Sequence, residues 1–161
     1  MTAGEVLEVG ARERLRIIRE AESVALVGVS ANPIRSSNFV ATYLIRTHLR
    51  VYPVNPHYDE VLGMKCYPSL ADLPEVPDIV DVFRTPDEIP GVVDEAIAIG
   101  ATTVWFQLGL RHDAAAATAA DRGLEVVQDR CLKIEHARFA GGLHLGGFDT
   151  GIITSKRRRE I

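Results

Sequence analysis

Several features that would indicate common functional classes are missing from this sequence. Its two cysteines, Cys66 and Cys131, form no C-x-x-C pair, so neither a zinc ribbon nor a thioredoxin-type site is expected. No apolar stretch approaches the roughly 18 residues that a membrane-spanning helix needs. The formal net charge of −4 provides no basic field that would attract nucleic acid. The five histidines lack the H-x-x-x-H spacing of metal ligands, so no metal site is expected.

The N-terminal residues are polar and show no signal-peptide pattern. We therefore expect a cytoplasmic protein whose two thiols are reduced. The length of 161 residues fits a single domain with a sizeable core, which we place at residues 1–139. Residues 140–161 are rich in glycine and include a basic run, so we treat them as a C-terminal tail.

What the sequence does contain is an alternation of strand and helix patterns. Continuous apolar runs predict five strands, at 23–29, 50–55, 78–84, 102–107 and 124–129. Helical spacing predicts helices at 5–21, 38–48, 86–99, 112–122 and 131–139, with a short helix or turn at 68–74. This alternation implies an open parallel sheet with helices on both faces, that is, a Rossmann-like three-layer α/β fold. The first helix is expected outside the core, as a candidate dimer contact.

Sheets of this type bind ligands at the carboxyl ends of their strands, beside the point where the strand order reverses. We expect the ligand crevice to lie above the first and fourth strands. The same rule points to five loops, at 28–37, 54–58, 84–88, 107–112 and 128–131.

The loop after the first strand has the composition of an anion site. Gly28 permits a tight turn close to a ligand, and the helix that follows directs backbone N–H groups toward the loop. Arg35 is available to pair with a phosphate. Further donors are Ser30, Ser36, Ser37 and Asn38. The alternative is that Ser36 or Ser37 only caps the helix and that Arg35 is solvated.

This loop does not have the G-x-G-x-x-G pattern of dinucleotide-binding domains. Such domains also tend to carry an acidic residue after the second strand, where it binds the ribose hydroxyls. Here that strand is followed by Asn55, Pro56, His57 and Tyr58, with no acid before Asp59. The pattern argues against NAD and is compatible with a nucleotide whose ribose carries a phosphate.

The sequence resembles the family of small stand-alone CoA-binding proteins in seven segments that occur in the family's order and spacing: VALVGVSANP, VYPVNPHYDEVLG, PSLADLP, DIVDVFRTPDE, AIGA, VWFQLGL and VVQDRCLKIEH. This family is similar to the CoA-binding N-terminal domain of the succinyl-CoA synthetase alpha subunit. The resemblance covers about residues 15–139. It implies a Rossmann-like domain whose ligand is coenzyme A.

The resemblance also implies a role for each loop at the carboxyl edge. The CoA phosphates would be cradled by Gly28, Val29, Ser30, Asn32, Pro33, Arg35 and Ser36. The loop after the second strand would contribute Asn55, Pro56, His57 and Tyr58. The synthetases usually have a lysine there, so Arg35 and His57 are the candidates to replace it at the ribose phosphate. Packing along the cofactor would fall to Phe83, Arg84, Thr85 and Pro86, and the pantetheine arm would meet Gln107, Leu108, Gly109 and Cys131.

These assignments have structural alternatives. Asn55 and Pro56 could only shape a turn, and Cys131 could be a buried packing thiol. Phe83 and Trp105 could belong to the core. Four acids are interpreted as strand-edge and helix-start charges rather than as an acid–base pair: Asp78, Asp81, Asp87 and Glu88.

The resemblance places the phosphorylated histidine of the synthetases in a second domain, and His136 and His144 lie in no matching motif here. We therefore expect non-catalytic binding of CoA or a short acyl-CoA, with no nucleic-acid or membrane partner. Two other functions remain open: an NAD(P)-binding regulatory or redox domain, and an interaction subunit that has lost its ligand.

Overall fold

The computed structural model describes residues 8–140. The strands are β1 (Ser23–Val27), β2 (Arg50–Val54), β3 (Glu60–Val61), β4 (Met64–Lys65), β5 (Ile79–Val82), β6 (Thr103–Phe106) and β7 (Glu125–Val127). The helices are α1 (Ala11–Glu20), α2 (Ser36–Leu44), α3 (Ile89–Ala98), α4 (Asp113–Asp121) and α5 (Leu132–Ala140). Two short 3-10 turns cover Leu70–Asp72 and Pro86–Glu88. Of the tail predicted at 140–161, Ala140 is the last residue of α5, and the rest lies outside the described residues.

The five longer strands form one parallel sheet in the order β2-β1-β5-β6-β7. This confirms the predicted Rossmann-like α/β fold. The expected crevice above the first and fourth strands is wrong, because β1 pairs with β2 on one side and with β5, the third long strand, on the other. From β1 the chain adds β2 on one side and then β5 on the other, so the strand order reverses between β1 and β5. The ligand is expected at this junction, because sheets of this type bind ligands where the strand order reverses.

A small antiparallel hairpin, β3–β4, precedes the short turn at 70–72 and was not predicted. Its two-residue turn is formed by Leu62 and Gly63, whose φ angles are 51° and 77°. Two positive φ angles are typical of tight hairpin turns, which usually have asparagine, aspartate or glycine at the first position. Because this position is a leucine, the sequence does not predict the hairpin.

The sheet separates two cores of different character. The face covered by α3 and α4, here the apolar face, has a core of Ala, Val, Leu, Ile and Phe side chains, Val80 and Phe106 among them. The opposite face, here the mixed face, is covered by α1, α2 and α5 and also has an apolar centre around Leu26 and Trp105. Successive strand residues point to opposite faces, so Asp81 belongs to the mixed face.

Helix α1 is part of the mixed face, which corrects the expectation that the first helix lies outside the core. Its buried stripe consists of Arg14, Ile17 and Ile18, whereas Ala11 is exposed. Arg14 is buried because its guanidinium pairs with Glu135 of α5, 3.3 Å away. A dimer contact through this helix stays a prediction. No helix within residues 8–140 is long and apolar enough to cross a membrane.

Candidate functional site

The predicted loops lie side by side, because the carboxyl ends of all five parallel strands meet at one edge of the sheet. Following the sheet order, the loop beginning at Asn55 comes first, and the loop beginning at Gly28 is next. The loops that begin at Phe83, Gln107 and Gln128 follow. The candidate site is therefore a continuous edge with its centre at the junction of β1 and β5.

Gly28 lies at this junction and has a φ of 88°, which confirms the predicted tight turn. Its N–H donates to the carbonyl oxygen of Val54 at 2.8 Å. A Cβ atom at position 28 would lie 2.9 Å from the Phe83 carbonyl oxygen and 3.0 Å from Cδ of Arg84. Glycine thus lets the loops after β1 and β5 come into contact.

Polar side chains of the first loop are used mainly to hold the loop itself. The N–H of Ser30 donates to Oγ of Ser37 at 2.9 Å, and Nδ2 of Asn38 donates to the Ser30 carbonyl at 2.9 Å. Oγ of Ser30 accepts from the N–H of Asn32 at 3.0 Å. Ser37 and Asn38 are buried. These two residues therefore shape the loop, and its exposed backbone faces the site.

Two further predicted residues of the first loop differ sharply in exposure. The side chain of Val29 is fully buried in the mixed face, so only its backbone belongs to the loop surface. Pro33 is exposed at the tip of the loop.

Helix α2 begins at Ser36, two residues earlier than predicted, with Arg35 in the N-cap position. Within residues 8–140 no side chain caps this helix, so the alternative of a serine cap is wrong. The first N–H groups of an α-helix have no partner inside the helix and carry its positive dipole end. These N–H groups of α2 lie beside the β1–β5 junction and make this part of the site electropositive.

Two arginines flank this helix end. Arg35 is exposed, whereas Arg84 is half-buried and lies against Gly28. Neither forms an ion pair in the part of the chain that the structure describes. Both guanidiniums can therefore bind an anion without first breaking a salt bridge.

The second loop is organised around Asn55, which is buried. Its Nδ2 donates to the Val29 carbonyl at 3.0 Å, and its Oδ1 accepts from the N–H of His57 at 2.9 Å. The turn-shaping alternative for this residue is therefore correct, and Asn55 also joins the first two loops. Pro56 and His57 are exposed at the edge, while Tyr58 packs against the mixed face.

In the loop after β5, the exposure of the side chains increases along the chain. Phe83 is half-buried and packs against the mixed face, while Thr85 and Pro86 are exposed. Oγ1 of Thr85 donates to Glu88 at 3.2 Å in the 3-10 turn that leads into α3. Asp87 and Glu88 occupy that turn, as interpreted from the sequence.

The end of β6 fixes the start of α5. Gln107 is buried, and its Oε1 accepts from the N–H of Leu132 at 2.8 Å. Its Nε2 lies 3.9 Å from Sγ of Cys131. Cys131 is half-buried and Cys66 is buried, and both are free thiols. Burial raises the pKa of the Cys66 thiol. Of the two thiols, Cys131 is thus the one that a ligand at the edge can approach.

Sequence inspection missed Asp129, which joins the last two loops. Its Oδ1 accepts from the N–H of Gly109 at 2.7 Å, and its own φ is 55°. Gly109 has a φ of 85°, and Leu108 before it is exposed. Asp tolerates positive φ better than most residues, so an Asp at the last position of the predicted strand 124–129 was the available signal.

Two core assignments have opposite outcomes. Trp105 is fully buried, so the core alternative for it is correct. Asp81 is not a strand-edge charge: it is fully buried in the central strand β5, with Leu26 and Trp105 beside it in the sheet. Neither of its carboxyl oxygens has a hydrogen-bond partner within the described range. Burial raises its pKa well above the usual value.

No group of three or more His, Cys, Asp and Glu side chains with metal-binding geometry occurs between residues 8 and 140. The candidate site instead combines an electropositive surface at the β1–β5 junction with a less polar surface along β5 and β6.

The chain is similar in sequence to several known proteins. A protein called YneT from Bacillus subtilis, described as uncharacterized, is 36% identical over 121 residues, which are 75% of this chain and 90% of that protein. The ADP-forming acetate–CoA ligase of Methanocaldococcus jannaschii is 31% identical over 81 residues, which are 50% of this chain and 12% of the ligase. This chain thus matches a small portion of that enzyme.

Among solved structures, a hypothetical protein from Pyrococcus horikoshii superposes with a TM-score of 0.81 at 40% identity, covering 84% of this chain and 96% of that one. The family model described as "CoA binding domain" matches residues 22–137, from the start of β1 almost to the end of α5. The match includes every strand of the sheet and all the loops of the candidate site. This chain belongs to the CoA-binding domain family.

Proposed function

We propose that this protein binds coenzyme A or a short acyl-CoA along the carboxyl edge of its sheet and does not itself catalyse a reaction. The observation that carries the proposal is the uncapped N-terminus of α2 at the β1–β5 junction, with Arg35 and Arg84 beside it. This combination of free N–H groups, helix dipole and two unpaired guanidiniums is suited to the phosphates of a nucleotide.

The second loop favours CoA over NAD(P). A carboxylate after the second strand would bind a ribose diol, but this position is held by Asn55, whose side-chain amide is used to join two loops. The exposed residues of this loop before Asp59 carry no acidic group, and Arg35 and His57 are the residues we assign to the ribose phosphate. NAD(P) is the competing ligand in the test below.

The remaining edge suits the pantetheine arm. Phe83 offers a half-buried ring beside Arg84, and Leu108 offers an exposed apolar side chain at the end of β6. Following the sheet order from β5 to β7, the arm would end near Cys131. The polar contact of that thiol is the side-chain amide of Gln107, which is not a base that could activate it. We therefore assign binding rather than turnover.

The test is a titration of the purified protein with CoA, acetyl-CoA, NAD and NADP, followed by calorimetry and by thermal unfolding. CoA is expected to raise the melting temperature in a concentration-dependent way, because it binds the native state only. NAD or NADP binding as tightly as CoA would overturn the choice of ligand. Release of free CoA from acetyl-CoA above the buffer rate would overturn the non-catalytic assignment.

A variant sharpens this test. Arg35→Ala should weaken CoA binding by about 1.5–3 kcal/mol, the range for a hydrogen bond to a charged group, while stability to urea barely changes because the side chain is exposed. Arg46→Ala is the matched control, since Arg46 is also exposed but follows the other end of α2. If both variants bind CoA with equal affinity, Arg35 is solvated and does not bind the ligand.

A further inference from the structure

A polar cavity of about 110 Å³ lies at the β7 end of the carboxyl edge. We call it the β7 cavity. Its walls are the segment before α1 with Glu8, the side chains of Arg14 and Arg111, and residues 127–130 at the end of β7. None of the residues assigned above to CoA lines it. In sheet order it is three strands from β1, so it is separate from the proposed phosphate site.

Arg14 is the unusual part of this wall, because it is only 7% exposed. Its Nε donates to Oε2 of Glu135 at 3.3 Å, and its Nη1 donates to the Val9 carbonyl at 3.2 Å. A guanidinium has five N–H donors, and the described residues supply these two acceptors. Nη2 has no acceptor among residues 8–140 and is not among the fully buried unpartnered atoms, so an acceptor inside the cavity would complete the hydrogen bonding of Arg14.

The other charged groups leave the cavity rich in donors. Nη1 of Arg130 lies 3.6 Å from Glu135, which is beyond hydrogen-bond range, and Arg111 pairs with Glu8 at 2.9 Å. The second carboxylate in the wall, Asp129, already accepts the Gly109 N–H at 2.7 Å. Three guanidiniums therefore meet two carboxylates in the wall itself. Behind the wall, Glu135 lies 3.3 Å from Arg14 and 3.6 Å from Arg130, and Asp113 lies 3.6 Å from Arg111.

We propose that the β7 cavity binds a small oxyanion, a carboxylate or a phosphate. The cavity exceeds the ~30 Å³ that one water molecule occupies in the liquid, so it has room for such a group. Planar guanidiniums bind both chemistries through paired hydrogen bonds. The oxyanion has two possible sources. One is a free anion. The other is a carboxylate at the far end of an acyl group carried by CoA, which rests on the proposed function.

The second source follows from chain connectivity. Arg130 in the cavity wall directly precedes Cys131, the residue at which we end the pantetheine arm. An acyl group extending from the CoA sulfur past Cys131 would therefore reach the cavity within a short distance. A two-carbon acyl group has no charge to place there, whereas a dicarboxylic acyl group has.

Two titrations test the proposal, both at constant ionic strength. In the first, inorganic phosphate and malonate are titrated by calorimetry into the wild-type protein, Arg130→Gln and the control Arg46→Gln. Saturable binding that is weakened about fivefold or more by Arg130→Gln, and unchanged by Arg46→Gln, supports a cavity for free anions. Arg111→Gln provides a second variant at an exposed position, because substitution of buried Arg14 would also disturb its pairing with Glu135.

In the second titration, malonyl-CoA is compared with acetyl-CoA. Tighter binding of malonyl-CoA by about fivefold or more, lost in Arg130→Gln while acetyl-CoA binding is retained, identifies the acyl carboxylate as the anion. Failure of every CoA ester to bind would overturn the proposed function, yet the effect of Arg130→Gln on phosphate and malonate binding would still report on the cavity. The cavity proposal itself is overturned if neither free anion binds saturably and the two esters bind equally, if Arg130→Gln leaves the binding of every anion unchanged, or if Arg46→Gln weakens binding as much as Arg130→Gln.

Discussion

The apolar face and the mixed face of the sheet bury similar apolar side chains but treat charge differently. Within residues 8–140 the apolar face buries no charged side chain, and its buried polar residues Ser23 and Gln128 are uncharged. The mixed face also contains Arg14, Glu135 and Asp81, and His136 of α5 is buried as well. The helices of the mixed face are also those that begin or end near the site: α2 begins at the proposed phosphate loop, and α5 begins after Cys131. Both faces therefore contribute apolar burial, and within residues 8–140 the mixed face also accepts buried charged groups next to the site.

The largest expected effect comes from the buried ion pair. Glu135→Leu should destabilise the protein by about 3–5 kcal/mol, because it leaves the Arg14 guanidinium buried and uncompensated. The double variant Arg14→Leu/Glu135→Leu should recover most of that loss. Urea denaturation measures both. Glu95→Leu on α3 is the matched control, since this acid is exposed on a helix of the apolar face. A double variant as unstable as the single one would show that the pair has a further structural role.

Asp81 offers the second comparison, because its neighbour Val80 points to the apolar face. Asp81→Val should stabilise the protein at pH 7–8 by about 1–3 kcal/mol, the cost of an unpartnered buried polar group. Val80→Asp should destabilise it by at least as much. Destabilisation by Asp81→Val would mean that the carboxyl is structurally required.

The raised pKa of Asp81 also determines how the stabilisation by Asp81→Val changes with pH. Burial raises the pKa of Asp81 in the folded protein above its unfolded value, so the folded state holds the proton over a range where the unfolded state releases it. The wild type therefore loses stability as the pH rises from about 4, the unfolded pKa, toward the folded pKa. The advantage of Asp81→Val should grow over the same range. Denaturation series at several pH values measure the difference between the two proteins.

A smaller effect is expected at His136. Its Nδ1 is 2.9 Å from the Tyr43 hydroxyl, and within residues 8–140 its Nε2 has no hydrogen-bond partner. Burial, and then the nearby His48, lower the pKa of His136, so the wild type loses stability as the pH falls below about 6.5. His136→Phe should cost about 0.5–1.5 kcal/mol at pH 7.5, the value of one hydrogen bond, and the difference should shrink toward pH 5. A constant difference across that range would contradict the lowered pKa.

The last prediction changes reactivity rather than stability. With CoA disulfide, exchange should form a mixed disulfide on Cys131 roughly tenfold faster than on Cys66, because Cys66 is buried and burial raises its pKa. Peptide mapping over time measures both adducts. Cys131→Ser should still bind reduced CoA. An adduct on Cys66 alone would show that the pantetheine arm ends elsewhere.

The sequence was sufficient to predict the five strands, their parallel arrangement and the loops at their carboxyl ends, because continuous apolar runs alternate clearly with helical spacing. The neighbours of β1 could not be predicted, since the order of parallel strands depends on which side of the sheet each crossover takes. Sequence inspection also gave no sign that Arg14 is buried, and it misjudged Asp81. Charged residues are rarely buried, and Arg14 is buried only because Glu135, far along the chain, is its partner.

In the candidate site, too, some features could be predicted from the sequence and others could not. Gly28 and the loop positions follow from residue type and strand order. The roles of Ser37, Asn38 and Asn55 could not be read in advance, because their side chains are polar enough either to bind a ligand or to hold a loop. Only the positions of the neighbouring carbonyl and N–H groups decide between the two.

The strand order also bears on how the protein folds. β1 pairs with β2 after one crossover, but its other edge pairs with β5, so Val24 must meet Ile79 from a distant part of the chain. Contacts between distant residues form slowly, because closing a long loop costs entropy before the contact is made. The β1–β5 junction, where the α2 N-terminus lies, is thus expected to be complete only late in folding. A ligand bound there should slow unfolding while leaving the folding rate almost unchanged.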